Sequence, residues 1–175
     1  MPRIILACLL FFMFIHAHAY AGDRDKIGVV DFKEFMDRSI AGIAVQSQIK
    51  QKGKKLKSEL EQAEAGLKRL HKRYKDEVRL WNKAQKIEKE KQLKNKVRDF
   101  RMLAETKKKE FNEFKFKIVA GLQEEILKYV EKLAAEKEYL LIIEKQSGRV
   151  LFSHSTIDAT SDLIKNHDRL ERAKK

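Results

Sequence analysis

From Gln46 to Lys137 the chain runs for 92 residues without a proline, and this stretch constrains the fold more than any other part of the sequence. Its apolar residues recur at Ile49, Leu56, Leu60, Ala63, Leu67, Leu70 and Tyr74, then at Leu93, Val97, Phe100, Ala104, Phe111, Phe114, Ile118, Leu122 and Ile126. The gaps are mostly threes, fours and sevens, the period of a coiled-coil seam. As one unbroken helix the stretch would be roughly 140 Å long, at a rise of about 1.5 Å per residue. The seam thins across Asn82–Gln92, near the midpoint, and a fold-back is expected there. Two antiparallel arms of about 45 residues, each roughly 65–70 Å long, are therefore expected. Gly53, Gly66 and Gly121 interrupt the pattern only as tolerated glycines.

The flanks follow a different period. KIGVVDF, Lys26 to Phe32, is short and β-branched and reads as a strand. Downstream, Tyr139–Ile143 and Val150–Phe152 are apolar runs joined by Gln-Ser-Gly-Arg. They read as a β-hairpin with Gly148 supplying a positive φ in the turn. Asp158 or Thr160 then caps a closing helix with Leu163, Ile164 and Leu170 as its apolar stripe. The expected organisation is a helical-hairpin arm at 46–137 on a small body made of 22–45 and 138–175. The class is α+β, mainly helical. A body of that size with open strand edges is marginal as a monomer. Pairing the edges with other copies in a closed barrel solves both problems, so an oligomer held by strands is expected, with arms projecting from it.

The N-terminus bears on location. Arg3 precedes an apolar run from Ile4 to Ile15, followed by small residues at Ala17, Ala19 and Ala21. This is the grammar of a secretory signal peptide over 1–19, with cleavage after Ala19 or Ala21. The run is too short to span a bilayer as a helix, which takes roughly 20 residues. Cys8, the only cysteine, leaves with it, so the exported chain has neither disulfide nor thiol chemistry. The formal net charge is +13. Residues 46–137 carry 27 Lys and Arg against 15 Asp and Glu, so the arm holds nearly all of that charge. Acidic or anionic partners follow from it.

Enzymatic chemistry finds little support. His71, His154 and His167 stand apart in sequence and belong to no metal-ligand or nucleophile spacing; each reads as a satisfied (hydrogen-bonded) structural or solvent-facing histidine. No glycine-rich phosphate loop occurs, and neither catalytic, metal-binding nor cofactor-binding residues are assigned. The richest segment is KKKEFNEFKFKIV, Lys107 to Val119, which interleaves Phe111, Phe114, Phe116 and Ile118 with lysines. On a helix Phe111, Phe114 and Ile118 share the seam face, while Phe116 lies about 140° round from Phe111. Phe116 and Leu103, with Lys107, Lys108, Lys109, Lys115 and Lys117, are the candidate contacts for an exposed apolar segment of another protein. Nucleic acid would bind such a surface non-specifically through counterion release. Export removes the chain from the compartment where that binding would matter.

The whole exported chain resembles the periplasmic chaperones of the Skp/OmpH type. The resemblance is carried by KIGVVDFKEFM after the signal peptide, by the long charged arms, and by YLLIIEKQSGRVLFSHSTIDATSDLIKNHDRL at the end. It implies a homotrimer whose strands form a central β-barrel, with three helical hairpins enclosing a cavity. Ile27, Val29, Leu141, Ile143, Val150 and Phe152 would build the barrel and its interfaces. The implied function is an ATP-independent holdase that binds unfolded outer-membrane proteins in the periplasm and keeps them from aggregating. Anionic lipid or lipopolysaccharide is the other partner class that the charge admits. The alternative reading is an exported structural coiled coil lying on the anionic envelope surface.

Overall fold

The computed structural model describes residues 26–173; the expected signal peptide lies outside them. Strand β1 (Ile27–Val30) leads through Asp31 into a short helix α1 (Phe32–Arg38). The Asp31 carboxylate accepts the Glu34 N–H and so caps that helix. Ser39 then serves twice. It ends α1, and its hydroxyl accepts the Gly42 N–H at 2.9 Å to cap α2 (Ile40–Glu77). The corner is tight enough that a Cβ at Gly42 would sit 2.5 Å from the Met36 carbonyl oxygen. Only glycine lets the two helices meet this way.

The arm turns earlier than the thinning seam suggests. Helix α2 gives way to a 3₁₀ turn at Val78–Leu80, and α3 (Lys83–Lys137) begins at once. The cause is a capping box. Asn82 accepts the Gln85 N–H, and the Gln85 side chain returns to the Asn82 N–H. Residues 83–92, expected as the loop, are the first turns of α3. The arms are consequently unequal, with 38 residues in α2 and 55 in α3. The longer helix runs past its partner into the body. Leu122, Ile126 and Leu133 of α3 are buried there beside Phe35, Val45, Ala159, Leu163 and Ile164. The sequence division at 46–137 had given those three residues to the arm.

The expected hairpin is not formed. Strand β2 (Leu141–Glu144) pairs in parallel with β1, Ile27 opposite Leu141 and Val30 opposite Glu144. Val150–Phe152 is not a strand. A parallel pair needs a long crossover, and the whole helical hairpin supplies it. After β2 the chain closes a helical turn instead of a β-turn, with the Gly148 N–H on the Glu144 carbonyl at 2.9 Å. The Glu144 carboxylate holds this turn by accepting both the N–H and the hydroxyl of Ser147. The positive φ falls on Arg149, at 50°, and not on Gly148. Gly148 is needed for space, since a Cβ there would lie 2.4 Å from Ile143 Cγ2. A 3₁₀ turn at Ser155–Ile157 and a bridge from Asp158 to Val29 lead to α4 (Thr160–Ala173). Asp158 accepts the Thr160 N–H at the start of α4, and the Thr160 hydroxyl accepts the Asp31 N–H. Leu163 and Ile164 are buried as expected, and Leu170 is half-buried.

Candidate functional site

Alternation along the two strands divides the sheet into two faces. Val30 and Ile142 point toward the helices and join the core. The other face carries Ile27, Val29, Leu141 and Ile143, the residues expected in a barrel. Val29 is buried, its backbone pairing with Asp158, and Ile143 is half-buried, whereas Ile27 and Leu141 remain 42% and 50% exposed. Beyond them Leu140, Leu151 and Phe152 also stand in solvent, and Val150 is half-buried. IGVV and LIIE are apolar on both faces, as parallel strands are when both faces are covered. Here the body's own helices cover one.

On the arm the structure separates the residues that sequence reasoning grouped. Lys107 is drawn into the seam. Its ammonium stands 2.6 Å from Glu59 on the facing helix and 3.3 Å from Glu110, while Lys52 reaches Glu110 at 2.5 Å. Hydrogen bonding to Glu59, reinforced by Glu110, holds the Lys107 ammonium above its ordinary pKa. The hydrogen bond from Lys52, then that from Lys107, holds the Glu110 carboxyl below its own. This four-residue cluster clamps the two arms together. Leu103 lines a groove of about 380 Å³ between the arms with Ala63, Leu67 and Phe100. Lys109 lies 3.8 Å from Glu113 on its own helix, and Lys108, Lys115 and Lys117 are exposed.

Phe116 is outside the seam and 77% exposed. It has company that sequence reasoning missed. Met102 lies 14 residues before it and Leu127 lies 11 after, and both are more than half exposed. At 100° per residue these offsets return to within about 40° of the same direction. Leu127 also lines a groove of about 620 Å³ between α3, α1 and β2, with Phe32, Met36, Val119, Val130 and Ile142. Three exposed apolar residues therefore point the same way from α3, about 21 and 16 Å apart along its axis with Lys109 and Glu113 between the first two, and Leu127 reaches an apolar groove on the body. Spacings of 11 and 14 off the seam were the available signal.

The histidines divide. His71 is exposed, and the exposed His154 accepts the Thr156 N–H to shape its own turn. His167 is neither solvent-facing nor satisfied. It follows Leu163 by one helical turn and is therefore carried inward. It is fully buried, and neither ring nitrogen has a hydrogen-bond partner. Phe35 and Tyr129 pack against the ring in T-shaped geometry, at centroid distances of 5.1 and 4.7 Å. Among the described residues no helix is long and apolar enough to cross a membrane.

A small parallel sheet carrying a long helical hairpin is the architecture of a known class. The family described as outer membrane protein (OmpH-like) matches residues 26–166, and the chain belongs to that family. The fold is similar to a crystal structure from Caulobacter crescentus CB15 that carries the provisional description of an outer membrane chaperone (OmpH-like). The TM-score is 0.75 at 13% identity, over 83% of this chain and 85% of the other. Among curated protein sequences none matches.

Proposed function

We propose that this protein is an ATP-independent holdase of the periplasm that receives unfolded outer-membrane proteins as a homotrimer. The observation that carries the reading is that exposed Met102, Phe116 and Leu127 point the same way from a helix flanked by exposed lysines. Separated apolar contacts along one side of the arm suit an extended, unfolded chain, which offers apolar side chains without a fixed shape. The cationic field of the arms favours acidic clients and speeds their capture. Family membership supports a chaperone role in general terms. The same surface would accept anionic lipid or lipopolysaccharide, and nucleic acid only as a non-specific competitor.

The trimer is argued from the sheet. The exposed Ile27 and Leu141, with the exposed Leu151 and Phe152, are the body's unpartnered apolar surface. Copies of the same chain would cover it and would give Val150–Phe152 the strand pairing that it lacks here. Leu103, Lys108, Lys109, Lys115 and Lys117 complete the proposed client surface. Lys107 contributes mainly by holding the arms together.

The test is the mass of the purified protein in solution, alone and after a urea-unfolded outer-membrane β-barrel protein is diluted into it. A trimer alone and a soluble trimer–client complex are expected. Phe116→Ser should lower client protection while leaving the trimer intact. A dimer or filament that lets the client precipitate would overturn the reading in favour of a structural coiled coil.

A further inference from the structure

We propose that Glu125, His167 and Glu171 form a binding site for a divalent transition-metal ion of the zinc class, at the joint between α3 and α4. One donor atom from each of the three lies within 4.8 Å of the others. His167 and Glu171 are one helical turn apart on α4 and so share a face. Glu125 meets them from α3, its Oε1 3.7 Å from His167 Nε2. Around a tetrahedral zinc with ligand bonds near 2.0–2.1 Å, neighbouring donor atoms are about 3.4 Å apart. Partly exposed glutamate side chains need to close by little more than about an ångström to reach that spacing, well within the reach of a change of rotamer.

The buried ring points to a ligand. An imidazole with both nitrogens buried and neither hydrogen-bonded is costly, because desolvation is not compensated. The group's surroundings favour a dication over a bare ring. Three carboxylates, from Glu125, Glu171 and Asp168, gather around one imidazole. Asp168 has a separate part. Its Oδ1 accepts the Ile40 N–H at 3.0 Å and lies 3.8 Å from His167 Nδ1. It is thus anchored beside Nδ1, while Glu125 stands beside Nε2. At 3.8 Å Asp168 makes no hydrogen bond to Nδ1, and Nε2, the nitrogen nearer Glu125, is the one placed to take a metal. Phe35 and Tyr129 fix the ring plane from its flanks. One imidazole with two carboxylates suits zinc, cobalt or nickel better than magnesium or calcium, which take oxygen-only sets.

The experiment is calorimetric titration of the chelator-stripped, purified chain with Zn²⁺, with Co²⁺ followed by its visible absorption. One ion per chain is expected, with cobalt bands of a low-symmetry, nitrogen- and oxygen-ligated site. Glu171→Gln keeps the partly exposed side chain's shape and should weaken zinc binding at least about tenfold. Glu125→Gln should do the same, and both variants should lose most of the rise in Tm that zinc gives the parent. The proposal is overturned by an absence of saturable binding at micromolar zinc. It is equally overturned if the Glu125→Gln, Glu171→Gln double variant binds like the parent, which would place the ion at other histidines. The titration needs no client, so its outcome is independent of the chaperone reading.

Discussion

The body and the arm of this molecule are held together by different physics. In the body, Phe35, Leu133 and Leu163 are fully enclosed in a core that draws side chains from six elements. In the arm, no residue from Lys57 to Gly121 is fully buried, and Leu56 near the base is the last enclosed seam residue. Two helices alone cannot enclose a core. They can only press one stripe against another, and beyond Leu56 every seam residue stays partly in water. The body therefore owes its stability to packing. The arm depends on helix propensity, a capped turn at Asn82 and ion pairs across the seam. This division leaves the arm less firmly held than the body, a property that the proposed holdase role would use.

The contrast predicts where substitutions hurt. Leu133→Ala opens a cavity among α3 and its core partners and should cost about 2–5 kcal/mol, read as a lower urea midpoint for global unfolding. Gly42→Ala comes next, since its new Cβ would strike the α1 backbone and not a side chain that can move. A loss of about 1–3 kcal/mol is expected, with α1 displaced from α2. Leu67→Ala removes a half-buried seam residue midway along the arm and should cost about 1 kcal/mol or less. Its effect should appear as faster amide exchange confined to residues near 60–75 and 95–105. If Leu67→Ala instead lowers the global midpoint as far as Leu133→Ala does, the arm and body are one cooperative unit and the contrast is false.

How much of this was legible follows the same line. The arm's existence was plain because a heptad pattern without proline has one reading, and β1 was plain from its β-branched residues. The turn was misplaced because hydrophobic spacing fades gradually, whereas a helix starts where a cap is available, and Asn82 with Gln85 provides one. The hairpin failed because two apolar runs with a glycine between them describe a β-turn and a helical turn equally well. Here the Glu144 carboxylate, hydrogen-bonding to Ser147, decides between them. Phe116 was found by its departure from the seam. Met102 and Leu127 were missed because their match to it is seen only when a helix has already been placed. His167 was misjudged because isolation in sequence says nothing of what α3 brings to α4.

The smallest predicted effect tests the comparison most sharply, through pH. Glu110 in the arm and Glu144 in the body both titrate below their ordinary value. For Glu144, burial pushes the carboxyl up, but hydrogen bonds from Ser147, Gln146 and Phe32 outweigh it. For Glu110, the hydrogen bond from Lys52 dominates, with Lys107 adding to it. Each carboxylate therefore stabilises the fold fully above the unfolded glutamate pKa of about 4.3, and its contribution is lost as pH falls through the lower, folded value. Acid should loosen the two regions separately. Amides around Lys52 and Glu110 should lose protection in one step, after correction for intrinsic exchange, and those around Glu144 to Gly148 in another. Glu110→Gln removes the arm's titrating group and leaves the body's intact. In that variant the arm should already exchange faster at neutral pH and should respond little to acid, while the body's step stays where it was. Loss of protection in a single shared step, in both proteins, would show that packing in the body governs the arm after all.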